Sequence, residues 1–175
     1  AEAITTSGQL SIRWIESAVN DYLNDLLKTD NEDYIVASDT DSIYVVFDKL
    51  VNKVFKEEQD SSRVIPFLDT VAREKIEPFI NKSYEDLHQY VNSYEQKMQM
   101  SREVIADKGI WTAKKRYILN VHDNEGVKYK EPQLKIMGIE AIKSSTPAPC
   151  RQKIKDALKI IMSGDEKMLN TFIQE

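Results

Sequence analysis

Two short stretches of this chain carry side chains suited to chemistry on phosphates. The first is Asp39-Thr40-Asp41-Ser42. Residues two apart in extended chain point the same way, so Asp39 and Asp41 would project together. Neighbouring carboxylates repel each other and resist desolvation, a cost that a divalent cation removes. Mg²⁺ prefers a few carboxylates, several waters and substrate phosphates. Asp, Thr and Ser are also ordinary turn formers, so a plain polar turn accounts for the same residues. The second stretch is Lys114-Lys115-Arg116-Tyr117. Read as a strand, it sends Lys115 and Tyr117 to one face and Lys114 and Arg116 to the other. A cation beside an aromatic hydroxyl suits a phosphate or a minor-groove base edge. A charged strand start on a solvated face is the plainer alternative.

Other reactive residues are scattered. His88, His122 and Cys150 are far apart in sequence and have no zinc-ligand spacing. Tyr84, Tyr90 and Tyr94 read as packing residues. The five glycines form no phosphate-cradling loop.

The elements around the two stretches follow from periodicity. A helix is expected from Glu2 to about Leu27, with Ile15, Val19, Tyr22, Leu23 and Leu26 as its apolar stripe. Gly8 and Ser11 extend that stripe as small residues, which suggests close packing. Lys28 to Asp33 is a loop. Tyr34 to Ser38 and Ser42 to Phe47 read as a buried hairpin with the aspartates at its tip. Asp48 to Lys56 is a short helix. A long helix follows on Ile65, Leu68, Ala72, Ile76, Phe79, Ser83, Leu87 and Tyr90, and Pro78 should kink or split it. Strands are expected over Met98 to Ala106, Trp111 to Val121, Val127 to Tyr129 and Gln133 to Met137, with a turn at Asp123-Asn124-Glu125-Gly126. Helices close the chain, at Gln152 to Met162 and after Ser163-Gly164-Asp165. The fold class is α+β, a mostly antiparallel sheet backed by long helices.

At 41% hydrophobic residues the chain can build a core, and 30% charged residues imply a well-solvated surface. The net charge of −5 weighs against nucleic acid as a partner of the whole surface, but an acidic protein can still carry one basic strip. No run of about 18 apolar residues is present, and no secretory signal opens the chain. With a single cysteine, a cytoplasmic location is expected. Both ends fall in helical pattern, so a segment of a larger protein is expected.

Asp39-Thr40-Asp41-Ser42 between two hydrophobic strands resembles the carboxylate motif of B-family DNA polymerases, with Ala37-Ser38 where that family usually has Tyr-Gly. Lys114-Lys115-Arg116-Tyr117 is similar to the family's primer-gripping motif. Arg102-Glu103-Val104-Ile105-Ala106 is similar to a palm strand with an extra carboxylate. The stretches 134–140 and 143–147 resemble the palm-to-thumb junction. Ala3 to Gln9 and Trp14-Ile15-Glu16 look like the helix that follows the fingers. The T-even-type bacteriophage subgroup is the nearest in appearance.

The resemblance implies a partial palm over 1–144 and the beginning of the thumb over 145–175. It implies template-directed nucleotidyl transfer to a primer 3′-hydroxyl by a two-metal mechanism, with Mg²⁺, or Mn²⁺ in its place. Asp41 is implied as the metal ligand and Asp39 as its helper, with Glu103 in support. Asp41 and Thr40 would meet the nucleotide. Lys115 and Tyr117 would hold the primer strand, with Arg116, Lys114 and Lys143 as further DNA contacts. The implied partners are primer-template DNA, deoxynucleoside triphosphates and the exonuclease, fingers and thumb regions. The family also uses an earlier aspartate motif and a fingers Lys and Asn-x-x-Tyr-Gly, and neither stands in these 175 residues. The chain alone is therefore expected to be inactive. Two other readings remain: a metal-dependent glycosyltransferase using an Asp-x-Asp pair, and a non-catalytic DNA-binding or assembly subunit of a split polymerase.

Overall fold

The computed structural model describes residues 2–56 and 60–174. The chain divides into two compact units, Ala1–Arg102 and Glu103–Glu175.

The first unit is built on helix α1, Glu2–Leu27. Ile15, Val19, Leu23 and Leu27 are buried at a constant spacing of four, a ridge that packs into the grooves of a neighbouring helix. The ridge excludes Leu26, which is 43% exposed, so Leu27 takes the core position expected for Leu26. Among the described residues a Cβ on Gly8 would meet nothing within 4 Å, so the close packing expected there is not seen among them.

Strands β1, Ile35–Asp39, and β2, Ser42–Val45, form the expected antiparallel hairpin. It is a two-stranded ribbon whose residues are mostly half-buried, with Val36 exposed, rather than the fully buried hairpin expected. Helix α2 covers Asp48–Phe55.

Helix α3, Ser61–Val71, runs into a π turn at Ala72–Ile76 and on into α4, Glu77–Val91. Proline has no N–H to give the carbonyl four residues earlier, and its ring clashes there. The wider π turn ends two residues before Pro78, so the expected break takes that form. Ile76, Ile80, Tyr84 and Leu87 join the α1 ridge, Tyr34 and Leu50 in one core. Ser83 is buried because it accepts the indole N–H of Trp14 at 3.0 Å through both its hydroxyl and its carbonyl. Tyr22 stacks on Phe79 at 4.3 Å. Of the three tyrosines expected to pack, only Tyr84 is buried. Tyr90, at the last turn of α4, is 75% exposed but still packs its ring 5.5 Å from that of Trp14, and Tyr94 lies fully exposed beyond it.

The second unit holds a three-stranded antiparallel sheet in the order β3-β4-β5: Val104–Ala113, Arg116–Asn124 and Val127–Met137. The strand expected from Met98 begins only at Val104. The run expected from Trp111 to Val121 straddles a turn at Lys114-Lys115. The expected pieces at 127–129 and 133–137 are one strand. Pro132 fits inside β5 because β5 is an edge strand and the register there is irregular: Gln133 faces Val121, yet Lys128 already faces Asp123. The β4–β5 loop is the expected turn, with Glu125 at φ +51° and Gly126 at φ +88°, the two left-handed residues that suit a two-residue hairpin. Buried Asp123 accepts the Gly126 N–H at 2.9 Å.

A 3₁₀ turn, Glu140–Ile142, leads to α5, Ala148–Ser163, and α6, Glu166–Gln174. α5 starts earlier than expected because Pro149 sits in its first turn, where proline costs nothing. Ile118, Ile139, Ala141, Leu158 and Met162 form the core of this unit.

One ion pair within the first unit ties α3 to the segment after α4. Arg102 pairs with Asp69, both side chains being nearly buried, and Asp69 also takes Arg73. Burial opposes the Asp69 charge, but the hydrogen bonds and charges of the two arginines outweigh it and hold the carboxyl below its usual range. A carboxyl lowered in the fold adds stability above its unfolded pKa of about 3.9 and loses it as pH falls towards the folded value. Asp69→Asn should cost about 1–3 kcal/mol at pH 7 and flatten the stability curve below about pH 4. Urea unfolding across pH checks both.

Candidate functional site

The acidic tip is placed by α1. Asn20 and Asn24 stand on this helix and clamp the loop that follows it. The Asn24 amide accepts the Glu32 N–H at 2.9 Å and donates to the Glu32 carbonyl at 2.8 Å. Asn20 accepts the Tyr34 N–H at 2.7 Å. Asparagine is a poor helix-interior residue because its amide competes for backbone groups. That was the one signal in the sequence that could have revealed the clamp.

β1 and β2 pair as far as Asp39 opposite Ser42, leaving Thr40 and Asp41 as the loop. Asp39 is thus the last strand residue and Asp41 a loop residue, so the shared strand face expected for the pair does not apply. A tight turn joins them instead: the Asp41 N–H donates to the Asp39 carbonyl at 2.6 Å. Thr40 lies at φ +53°, an unusual place for a β-branched residue, and costs about 1–3 kcal/mol. Its hydroxyl donates to the Asp39 carboxylate at 3.1 Å. The Ser42 hydroxyl donates to the Asp39 carbonyl at 3.1 Å.

Asp41 is exposed, yet its charge reaches α4. Burial raises the pKa of the Tyr84 phenol, and the negative charge of Asp41 raises it further. Oxygen donors on a solvated tip suit a hard cation that keeps its waters. Among the described residues, no group of three or more His, Cys, Asp or Glu side chains is gathered to hold a metal ion.

The basic stretch lies in the second unit. Lys114 and Lys115 form the loop between β3 and β4, with Ala113 opposite Arg116 and Lys115 at φ +59°. The alternation expected of a continuous strand is therefore replaced by a turn that carries both lysines at its tip. Tyr117 is 6% exposed and its ring lies 6.3 Å from that of Trp111. Arg116 donates to both carboxylate oxygens of Glu140, at 2.8 and 2.7 Å. Lys143 donates to Glu140 at 3.0 Å. The Lys143 hydrogen bond, with help from the residue's own backbone and from Arg116, holds the Glu140 carboxyl below its ordinary range. Glu103, just before β3, accepts from Lys135 at 2.5 Å. Glu140 entered the sequence analysis only as the last residue of the 134–140 junction stretch, with no role of its own.

The link between Asp41 and Tyr84 is open to titration. Asp41→Asn should move the Tyr84 phenol back towards its ordinary value without reaching it, because burial is the larger cause. Alkaline ultraviolet titration against a Tyr84→Phe control checks this.

No protein-family model matches the chain. Two curated proteins do. The DNA-directed DNA polymerase of Escherichia phage RB69 is 44% identical over 175 residues, covering 95% of this chain and 19% of that protein. The DNA-directed DNA polymerase of Enterobacteria phage T4 is 41% identical over 181 residues, covering 96% of this chain and 20% of that protein. The chain spans about a fifth of the length of these relatives. Along nearly its whole length, the chain is a relative of one segment of the DNA-directed DNA polymerases of T4-like phages, as its acidic and basic motifs implied.

Proposed function

We propose that these 175 residues serve as part of the catalytic region of a DNA-directed DNA polymerase, a partial palm over 1–144 and the start of the thumb over 145–175. The observation that carries this reading is the 44% identity to the RB69 polymerase along a stretch that includes the Asp39–Ser42 tip and the Lys114–Tyr117 turn. The reaction is transfer of a nucleotide to a primer 3′-hydroxyl.

Asp41 and Asp39 would hold Mg²⁺, with Mn²⁺ as a substitute, and the family resemblance alone gives Glu103 a supporting role. Cations held there would supply Lewis acidity, lowering the pKa of the attacking hydroxyl and neutralising charge on the phosphates. The chain's own part is placement. The tight turn sets the two carboxylates at a solvated tip, where Thr40 and Asp41 meet the incoming nucleotide. The Lys114–Lys115 loop puts two cations on one tip, suited to phosphates of either base sequence. Arg116 and Lys143 would help keep the primer strand in register, with Tyr117, only 6% exposed, as a lesser contact. Holding reactants in line carries much of the rate in such transfers.

A glycosyltransferase reading of Asp39 and Asp41 calls for alternating strands and helices about the pair. Here both sheets are antiparallel, and that reading leaves the lysine turn without a purpose.

Mn²⁺ titration of the 175-residue chain, followed by paramagnetic line broadening, should show weak binding that Asp41→Asn abolishes. Equal binding by the variant would remove Asp41 as the ligand. The same chain should add no nucleotide in a primer-extension assay, because the two-metal centre takes a further aspartate. Extension by the pure chain would contradict this.

A further inference from the structure

The lysine turn is braced from below by one segment of the second unit. Gly138 lies at φ +66°, and a Cβ added there would stand 2.2 Å from the Lys115 carbonyl oxygen and 3.1 Å from the Arg116 side chain. The backbone of the turn therefore rests directly on Gly138, and only glycine leaves room for it. Two residues on, Glu140 takes Arg116 through both carboxylate oxygens and Lys143 through one. Its neighbours Ile139 and Ala141 are 9% and 0% exposed and belong to the unit's core. Glu140 thus stands on a rigid 3₁₀ turn rather than on a loose loop.

The energy of these contacts is not their purpose. Arg116, Glu140 and Lys143 are all close to half exposed, and such pairs add little to stability. What the arrangement supplies is direction. Arg116 follows Lys115 in sequence, so tethering its guanidinium restrains the exit of the Lys114–Lys115 loop.

We propose that Glu140 is a positioning residue, which with Gly138 holds the Lys114–Lys115 turn in the conformation that meets the DNA backbone. This rests on the proposed DNA contact of that turn, and the test separates the two. Charge and position make opposite predictions for Glu140. Removing a carboxylate beside a cationic turn favours DNA binding by electrostatics alone, whereas loss of position weakens it.

The test uses Glu140→Gln, Gly138→Ala and Lys115→Ala in the 175-residue chain. It reads primer-template affinity by fluorescence anisotropy, and native tryptic cleavage after Lys114 and Lys115 by mass spectrometry. Glu140→Gln should weaken binding about fivefold and speed cleavage at the turn relative to other lysines. Gly138→Ala should act in the same direction by displacing the Lys115 carbonyl. Unchanged cleavage with equal or tighter DNA binding by Glu140→Gln overturns the inference. If Lys115→Ala leaves affinity unchanged while Glu140→Gln still loosens the turn, the DNA contact fails and the positioning role stands.

Discussion

Burial of a single ridge of α1 against α4 is the constraint on which the acidic tip depends. Ile15, Val19, Leu23 and Leu27 share one core with Ile80, Tyr84 and Leu87, and burying each such side chain contributes about 1.5–3 kcal/mol. The same packing does two further things. It fixes the helix from which Asn20 and Asn24 reach out to register the start of β1. It also buries Tyr84, the phenol that feels the charge of Asp41. Core, clamp and tip form one chain of cause, and a change in the ridge would be felt at the carboxylates.

Both charged tips use the same device. A two-residue loop with its residue in the left-handed region joins antiparallel strands and leaves side chains facing water: Thr40 in one case and Lys115 in the other. Neither residue is glycine, so each loop stores strain that its surroundings must hold. At the acidic tip the holding groups are hydroxyls, Thr40 and Ser42 on Asp39. At the basic tip they are a glycine underneath and a carboxylate to the side.

Much of this was legible in the sequence, because it depended on local rules. Helical spacing marked α1 and α4, Pro78 marked the break that the π turn fills, and Glu125-Gly126 marked a hairpin turn. The errors came where local pattern is ambiguous. Trp111 to Val121 is uniformly strand-like, and nothing in Lys114-Lys115 announces a turn, so the chain reversal was read as continuous strand. Pro132 split β5 on paper, yet an edge strand with an irregular register absorbs it. The Arg102–Asp69 pair joins residues 33 apart in sequence, and the Glu140 brace joins residues 24 apart. Such contacts depend on tertiary packing, which periodicity does not encode. Type and spacing drew attention to Asp39, Asp41, Lys115 and Tyr117, and the resemblance supplied their roles and Glu103, whereas the geometry, a loop in place of a strand face, was not legible.

The central claim is that the carboxylate at the tip of the β1–β2 loop serves phosphoryl chemistry in a polymerase. The most direct measurement replaces the matching segment of the RB69 polymerase with these 175 residues and assays extension of a primed template. The account predicts that the exchanged polymerase extends the primer, and that Asp41→Asn within the inserted segment abolishes extension while DNA is still bound. Undiminished extension by the Asp41→Asn exchange would contradict it.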